Sequence, residues 1–479
     1  MTPRELPLLG AVDLTHGYRR GEFTPLDVAH ALVAHIARWE PHIQALYAFD
    51  AEALLEQARS SAARWHSGRP QGPLDGVPVT VKENIATRGT PVPLGCAAMP
   101  LQPALADAPP AARLREAGAL IVAKTTMPDL GMLSSGLSSF HALSRNPWDT
   151  GKTPGGSSAG AAAAAAAGYG PLHIGTDIGG SIRLPAGWCG VVGFKPSAGR
   201  VPIHPPYTGR VAGPLARSVA DVALAMACLS RPDVRDPTRL PAQDIAWTDL
   251  AEPADDGDVR LDGLRIGLLL DAGWGLPADT ATQAAVTAAA RRLQAAGALV
   301  EPLAPFTTRA MIDGLDRFWR LRAWLDLQAL PEDRRERVLP YIRAWAEPAS
   351  GYSGSQVFHG QAQMAALRDA AAGASEAFDF IVSPTSPVPA FAAELASPLH
   401  DPARPFEHIA FTLPWNMGEQ PAITLPCGMA PGAPRPLPIG LQISGRRHDD
   451  LGLLRLARAW ERLRVPLPPW PTWPSGPEA

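Results

Sequence analysis

The chain is poor in the features that mark several protein classes. It has four cysteines in 479 residues, Cys96, Cys189, Cys228 and Cys427, all far apart. No pair has CxxC spacing, so neither a zinc site nor a disulfide framework is expected; free buried thiols in a reducing, cytoplasmic setting are. It lacks an excess of one charge: the net charge is −3 with both signs interspersed, which points away from nucleic acid and anionic membranes as partners. It lacks a strongly apolar run of membrane-spanning length, and the alanine run 161–167 is too short to be one. Its first residues, MTPRELPLLGAVDL, show no charged stretch followed by an apolar core, so no signal peptide is expected.

What is present is a core-forming composition, 46% hydrophobic and 19% charged. Residues 10–66 carry helical periodicity, with Thr24 as an N-cap and Pro25 in the first turn. Short apolar strands then alternate with helices. Strands are expected over 76–82, 119–124, 172–175, 190–194, 264–270, 298–300 and 378–384, with two more in 421–444. Helices are expected over 216–230, 280–296, 307–372 and 449–462. The polar stretch 231–262 reads as a long surface connection. The pattern predicts one domain, residues 1–479, of α/β class: a three-layer α/β/α fold with a mixed sheet, carrying a helical insertion over 305–375.

The segment 155–183 holds the chemistry. Ser157 and Ser181 each follow a Gly-Gly pair and stand 24 positions apart, separated by the alanine run and an apolar strand. Glycine pairs permit tight turns that a substrate can approach closely. Consecutive glycines also let neighbouring N–H groups converge, as an oxyanion hole requires. Ser181 is therefore a candidate nucleophile, and a serine hydroxyl needs a base. His173 and His204 are the nearest histidines. Lys82, at the end of the 76–82 strand, is the alternative if its environment lowers its pKa; by itself a strand-end lysine reads as a surface charge.

The string GGSS…GTDIGGSIR…GVVGFKP resembles the signature of the amidase signature family of serine hydrolases. The similarity is strong over about 76–214, the signature core, and includes Lys82 and the Asn146-Pro147-Trp148 triplet. Weaker echoes lie at 379–385, 416–422 and 440–442, with Asp450 and Glu461. The resemblance implies a Ser-cisSer-Lys triad, with Ser181 as nucleophile, Ser157 as bridge after a cis Gly156–Ser157 peptide, and Lys82 as base. It implies an oxyanion hole from the amides of Ile178, Gly179, Gly180 and Ser181, and a substrate contact at Gly131 and Ser157. Ser158 is expected to support the site or cap the alanine helix, and Asp177 and Arg183 to brace the nucleophile loop. Glu83 stands where the family usually has Asp, and Ala159 where Gly is usual.

The implied activity is hydrolysis of aryl or alkyl amides and anilides, with carbamates (urethanase activity) or esters open to the same chemistry. No cofactor or metal is implied, and the chain is expected to act as monomer or homodimer. The alternative is a glutaminase-type subunit of a tRNA-dependent amidotransferase. That branch typically has Gln where this chain has Leu184. The insertion is rich in Phe318, Trp319, Trp324, Leu325 and Phe358; if it covers the substrate entrance, an apolar or aromatic substrate is expected.

Overall fold

The computed structural model describes residues 4–251, 259–432 and 435–471. Its strands are β1 (Leu46–Tyr47), β2 (Pro78–Lys82), β3 (Leu120–Thr125), β4 (Leu172–Asp177), β5 (Val192–Lys195), β6 (Val211–Ala216), β7 (Arg265–Leu268), β8 (Leu299–Pro302), β9 (Phe380–Pro384), β10 (Ala422–Ala430) and β11 (Leu437–Gly445). They form one sheet in the order β1-β3-β2-β4-β6-β5-β10-β11-β9-β7-β8. β2 runs parallel to β3 and β4, and β7 parallel to β8 and β9. Antiparallel pairs join these two wings through β6, β5, β10 and β11. The sheet is mixed and flanked by helices, as the alternating pattern predicts.

The helices are α1 (Ala11–Arg20), α2 (Pro25–Ile43), α3 (Ala51–His66), α4 (Pro109–Glu116), α5 (Ala159–Ala167), α6 (Arg183–Cys189), α7 (Val219–Leu229), α8 (Thr280–Ala295), α9 (Arg309–Ala329), α10 (Glu332–Arg335), α11 (Pro340–Ala346), α12 (Gly354–Glu376), α13 (Pro414–Met417) and α14 (Asp450–Leu463). Thr24 caps α2 through the Asp27 amide, and Ser218 caps α7 through the Asp221 amide. Each cap satisfies an orphan N–H of the first turn.

The pleat decides which side chains reach the site. In β2, Val79 and Val81 join the core that also holds Val222 of α7, Val286 of α8 and Leu454 of α14. Thr80 and Lys82 alternate to the opposite face. That face is covered by α5, whose every residue is buried. Ala163, Ala164 and Ala167 pack into the cluster of Leu32 and Trp39, while Ala161, Ala162, Ala165 and Ala166 meet Ile182 and, in α6, Ala186. The helix is gripped on both sides, so methyl-sized side chains are what fit. At Gly160 even a Cβ would stand 2.1 Å from the Ala45 carbonyl oxygen.

Some expectations shift. β6 and α6 go unforeseen: β6 contains Gly213-Pro214 and α6 contains Pro185 and Gly187, residues that read as breakers. The connection 231–262 is not wholly at the surface. Buried Asp236 accepts the Ile203 amide at 2.9 Å, and Trp247 is buried, while 252–258 fall outside the described residues. In the helical region, Trp319 is buried, but Leu325 and Phe358 are 57% and 70% exposed and pack into no core. Among the described residues, no helix is long and apolar enough to cross a membrane. The chain has four lysines, and Lys82, Lys124 and Lys195 are buried.

Candidate active site

Lys82 closes β2, and Thr176 lies near the end of the neighbouring parallel strand β4. The Lys82 ammonium donates to Ser157 Oγ at 2.8 Å and to Thr176 Oγ1 at 3.0 Å. Asn84 also donates to Thr176 Oγ1, at 3.0 Å. Burial pushes the Lys82 pKa down to about 7, with Arg210 acting in the same direction and Asp177 and Glu83 against it. Glu83 is engaged elsewhere: its Oε2 accepts the Gly95 amide at 2.8 Å and lies 2.5 Å from His141 Nε2.

The first glycine turn places Ser157 against this lysine. The Gly156–Ser157 peptide is cis, and Ser157 is buried. Gly131, at φ +68°, adjoins it: a Cβ there would stand 3.5 Å from Ser157 Oγ. Ser158 occupies the N-cap position of α5 but makes no side-chain cap. Its hydroxyl instead donates to the Thr176 carbonyl at 3.2 Å and accepts the Thr176 amide at 3.3 Å. Its amide donates to the Ser181 carbonyl at 3.1 Å, tying the two serine turns together. No hydrogen bond joins the Ser157 and Ser181 side chains among the described residues.

The second turn hangs on Asp177. Asp177 Oδ1 accepts the Gly180 amide at 2.8 Å, and Oδ2 accepts the Ile182 amide at 3.1 Å. Arg183 pairs with Asp177 through Nε and Nη2 at 3.0 and 2.9 Å. It also donates to the Thr412 carbonyl, Gln442 Oε1 and Asn416 Oδ1. Asp177 is held well below the ordinary carboxylate range; burial opposes this, and the Arg183 charge and hydrogen bonds overcome it. Thr412 Oγ1 donates to the Gly179 carbonyl at 2.6 Å. Gly180 has φ +128°, and a Cβ there would stand 2.6 Å from Thr412 Oγ1, so only glycine fits.

This geometry changes one expectation. The Gly180 amide is already donated to Asp177, so it drops out of the expected oxyanion set. The amides of Ile178, Gly179 and Ser181 make no hydrogen bond to other described residues. His173 is buried in the sheet beside Thr80, 2.8 Å from its hydroxyl, and burial pushes its pKa down to about 3. His204 is exposed and precedes a cis proline. Neither histidine hydrogen-bonds Ser181.

Ser181, Ile178 and Gly131 line a cavity together with Trp319, Arg322 and Phe406. Sequence reasoning missed Thr176, Thr412 and Arg322. Thr176 sits inside the signature string, directly before Asp177, and was within reach of a pattern reading. The other two come from distant segments and carry no local signal. Among the described residues, no three His, Cys, Asp or Glu side chains gather as metal ligands do.

A family model described as Amidase matches residues 27–454. The glutamyl-tRNA(Gln) amidotransferase A-subunit of Chloroflexus aggregans is 33% identical over 478 aligned residues, covering 92% of this chain and 94% of that protein. Its counterpart from Myxococcus xanthus is also 33% identical, covering 96% and 98%. Among solved structures, a bacterial aryl acylamidase of the amidase signature family superposes with a TM-score of 0.85 at 27% identity, covering 95% of this chain and 96% of that one. A 6-aminohexanoate cyclic dimer hydrolase does so with a TM-score of 0.82 at 26% identity, covering 97% and 98%.

Proposed function

Since the chain belongs to the amidase signature family of serine hydrolases, whose chemistry is amide hydrolysis, we propose that it is a free-standing amidohydrolase. Its substrates are aryl or alkyl amides and anilides, with carbamates and esters as further candidates. The supporting observation is a buried lysine, lowered to about pKa 7, whose Nζ lies 2.8 Å from Ser157 Oγ. A lysine that is neutral near pH 7 can accept a proton. In the proposed cycle, Ser181 gives its proton to Ser157, Ser157 gives one to Lys82, and the Ser181 oxygen attacks the amide carbon. The amides of Ile178, Gly179 and Ser181 hold the tetrahedral oxyanion. The relay then runs backwards to protonate the leaving amine, and water hydrolyses the acyl-enzyme.

The identity to amidotransferase subunits over more than nine-tenths of the chain favours a second reading, a glutaminase partner of a larger assembly. Leu184, in place of the glutamine typical of that branch, and the apolar wall of the cavity favour the first. The purified chain should release nitroaniline from a nitroanilide without a partner, and Ser181→Ala should abolish that release. Activity only in the presence of a second chain would select the amidotransferase reading.

A further inference from the structure

One part of the cavity wall is out of keeping with its apolar remainder. Arg322 of α9 lines it, and no Asp or Glu does. Its guanidinium lies over the Tyr207 ring, 4.9 Å from the centroid. Its Nη2 faces Met132 Sδ at 3.0 Å, a weak acceptor, and its buried Nε has no protein acceptor. It forms no ion pair among the described residues; Asp326, one turn along α9, is an exposed carboxylate that feels its charge.

A second cation reinforces it. Arg210 stands over the same Tyr207 ring at 5.9 Å and also lacks an ion pair among the described residues. Its Nη2 donates to the Pro205 carbonyl. Burial, and next the charge of Arg322, push its pKa down, with Tyr207 and Asp236 acting against them. Further donors stand idle nearby. The indole N–H of Trp319, which lines the cavity, and the Tyr207 hydroxyl have no protein partner.

A buried donor without a partner is destabilising, and two neighbouring cations repel. An anion with two oxygens would relieve both conditions. A guanidinium laid on an aromatic ring is a ready fork for such a group. We propose that the substrate carries a carboxylate, separate from its scissile bond, that is held by Arg322 and favoured electrostatically by Arg210. The assignment rests on Ser181 being the centre of an amide hydrolase, and it narrows the substrate class to anionic amides.

The test uses the full chain and three amides: neutral p-nitroacetanilide, its succinyl counterpart with a carboxylate on the acyl chain, and 4-acetamidobenzoate with one on the amine. In the wild type, one of the two acids should exceed the neutral amide in kcat/KM by about tenfold or more. In Arg322→Gln that ratio should collapse toward unity, chiefly through KM, and Arg322→Lys should retain part of it. Binding is read separately in the Ser181→Ala protein by tryptophan fluorescence titration. There, Arg322→Gln should weaken the favoured acid about tenfold, and added salt should weaken binding to the unsubstituted Arg322 protein. If Arg322→Gln does not fold, Arg322→Lys and the salt series decide. Turnover of all three amides with a ratio near unity, or a ratio and affinity indifferent to Arg322, overturns the anion site and leaves the amidase reading intact. No turnover of any amide, with Arg322-dependent binding of the acid, overturns the amidase reading instead.

Discussion

Lys82 is an ordinary residue in an unusual place. The same pleat that sends Val79 and Val81 into the core turns its ammonium toward Ser157, where water cannot solvate the charge. Only the neutral amine can take a proton, and its neutral fraction grows as pH passes the lowered value of about 7. The kcat for p-nitroacetanilide should therefore climb between pH 6 and 8 and level off above. Lys82→Ala should lose about a thousandfold or more in kcat. A profile flat from pH 6 to 9, or a loss below tenfold, would remove the lysine from the mechanism. Ser157 and Ser181 are legible in the sequence because each follows a Gly-Gly pair that announces a special backbone; Lys82 is legible only through the resemblance of 76–214 to a family signature, since its strand end alone reads as a surface charge. Arg322 is not. It sits in a helix whose local sequence reads as amphipathic, and its partners Tyr207 and Met132 lie more than a hundred positions earlier.

At the scale of elements, the Ser181 loop between β4 and α6 is shaped from outside its own sequence. Asp177 and Arg183 hold it from within, while Thr412, Asn416 and Gln442 clamp it from segments over two hundred positions away. Thr412 fixes the Gly179 carbonyl and with it the plane of the next peptide. Thr412→Val keeps the shape and removes that bond. It should lower kcat about tenfold, equivalent to about 1.4 kcal/mol, with KM little changed. Steady-state kinetics on a nitroanilide would check this; a loss confined to KM would place Thr412 in substrate binding. Pattern reading found the helices with periodic apolar faces and polar caps, such as α2 and α7. It passed over β6 and α6, whose glycines and prolines read as breakers; in β6 the glycine is required because the neighbouring strand approaches too closely for a larger residue. At Gly213 a Cβ would meet the Phe194 carbonyl oxygen at 2.2 Å.

Across the whole molecule, three lysines share one condition. Burial pushes Lys82, Lys124 and Lys195 each down to about 7 from an ordinary value near 10.5. Between those values the unfolded chain binds more protons than the folded one, so stability rises with pH in that window. Below about pH 7 both states are protonated and the penalty is complete. The buried thiols oppose the trend only at higher pH, since burial raises Cys96 to about 11 and Cys228 and Cys427 to about 12. From pH 7 to 8.5 the melting temperature should therefore rise by about 2 °C or more in scanning calorimetry. The double variant Lys124→Met, Lys195→Met should flatten that slope; an unchanged slope would mean that these two lysines keep their ordinary values in the fold. The scarcity of lysine has a practical side as well. Only Lys152 stands outside the core, so amine-reactive coupling through lysine is directed to one anchor. Attachment through lysine then leaves the buried Lys82 amine shielded from the reagent.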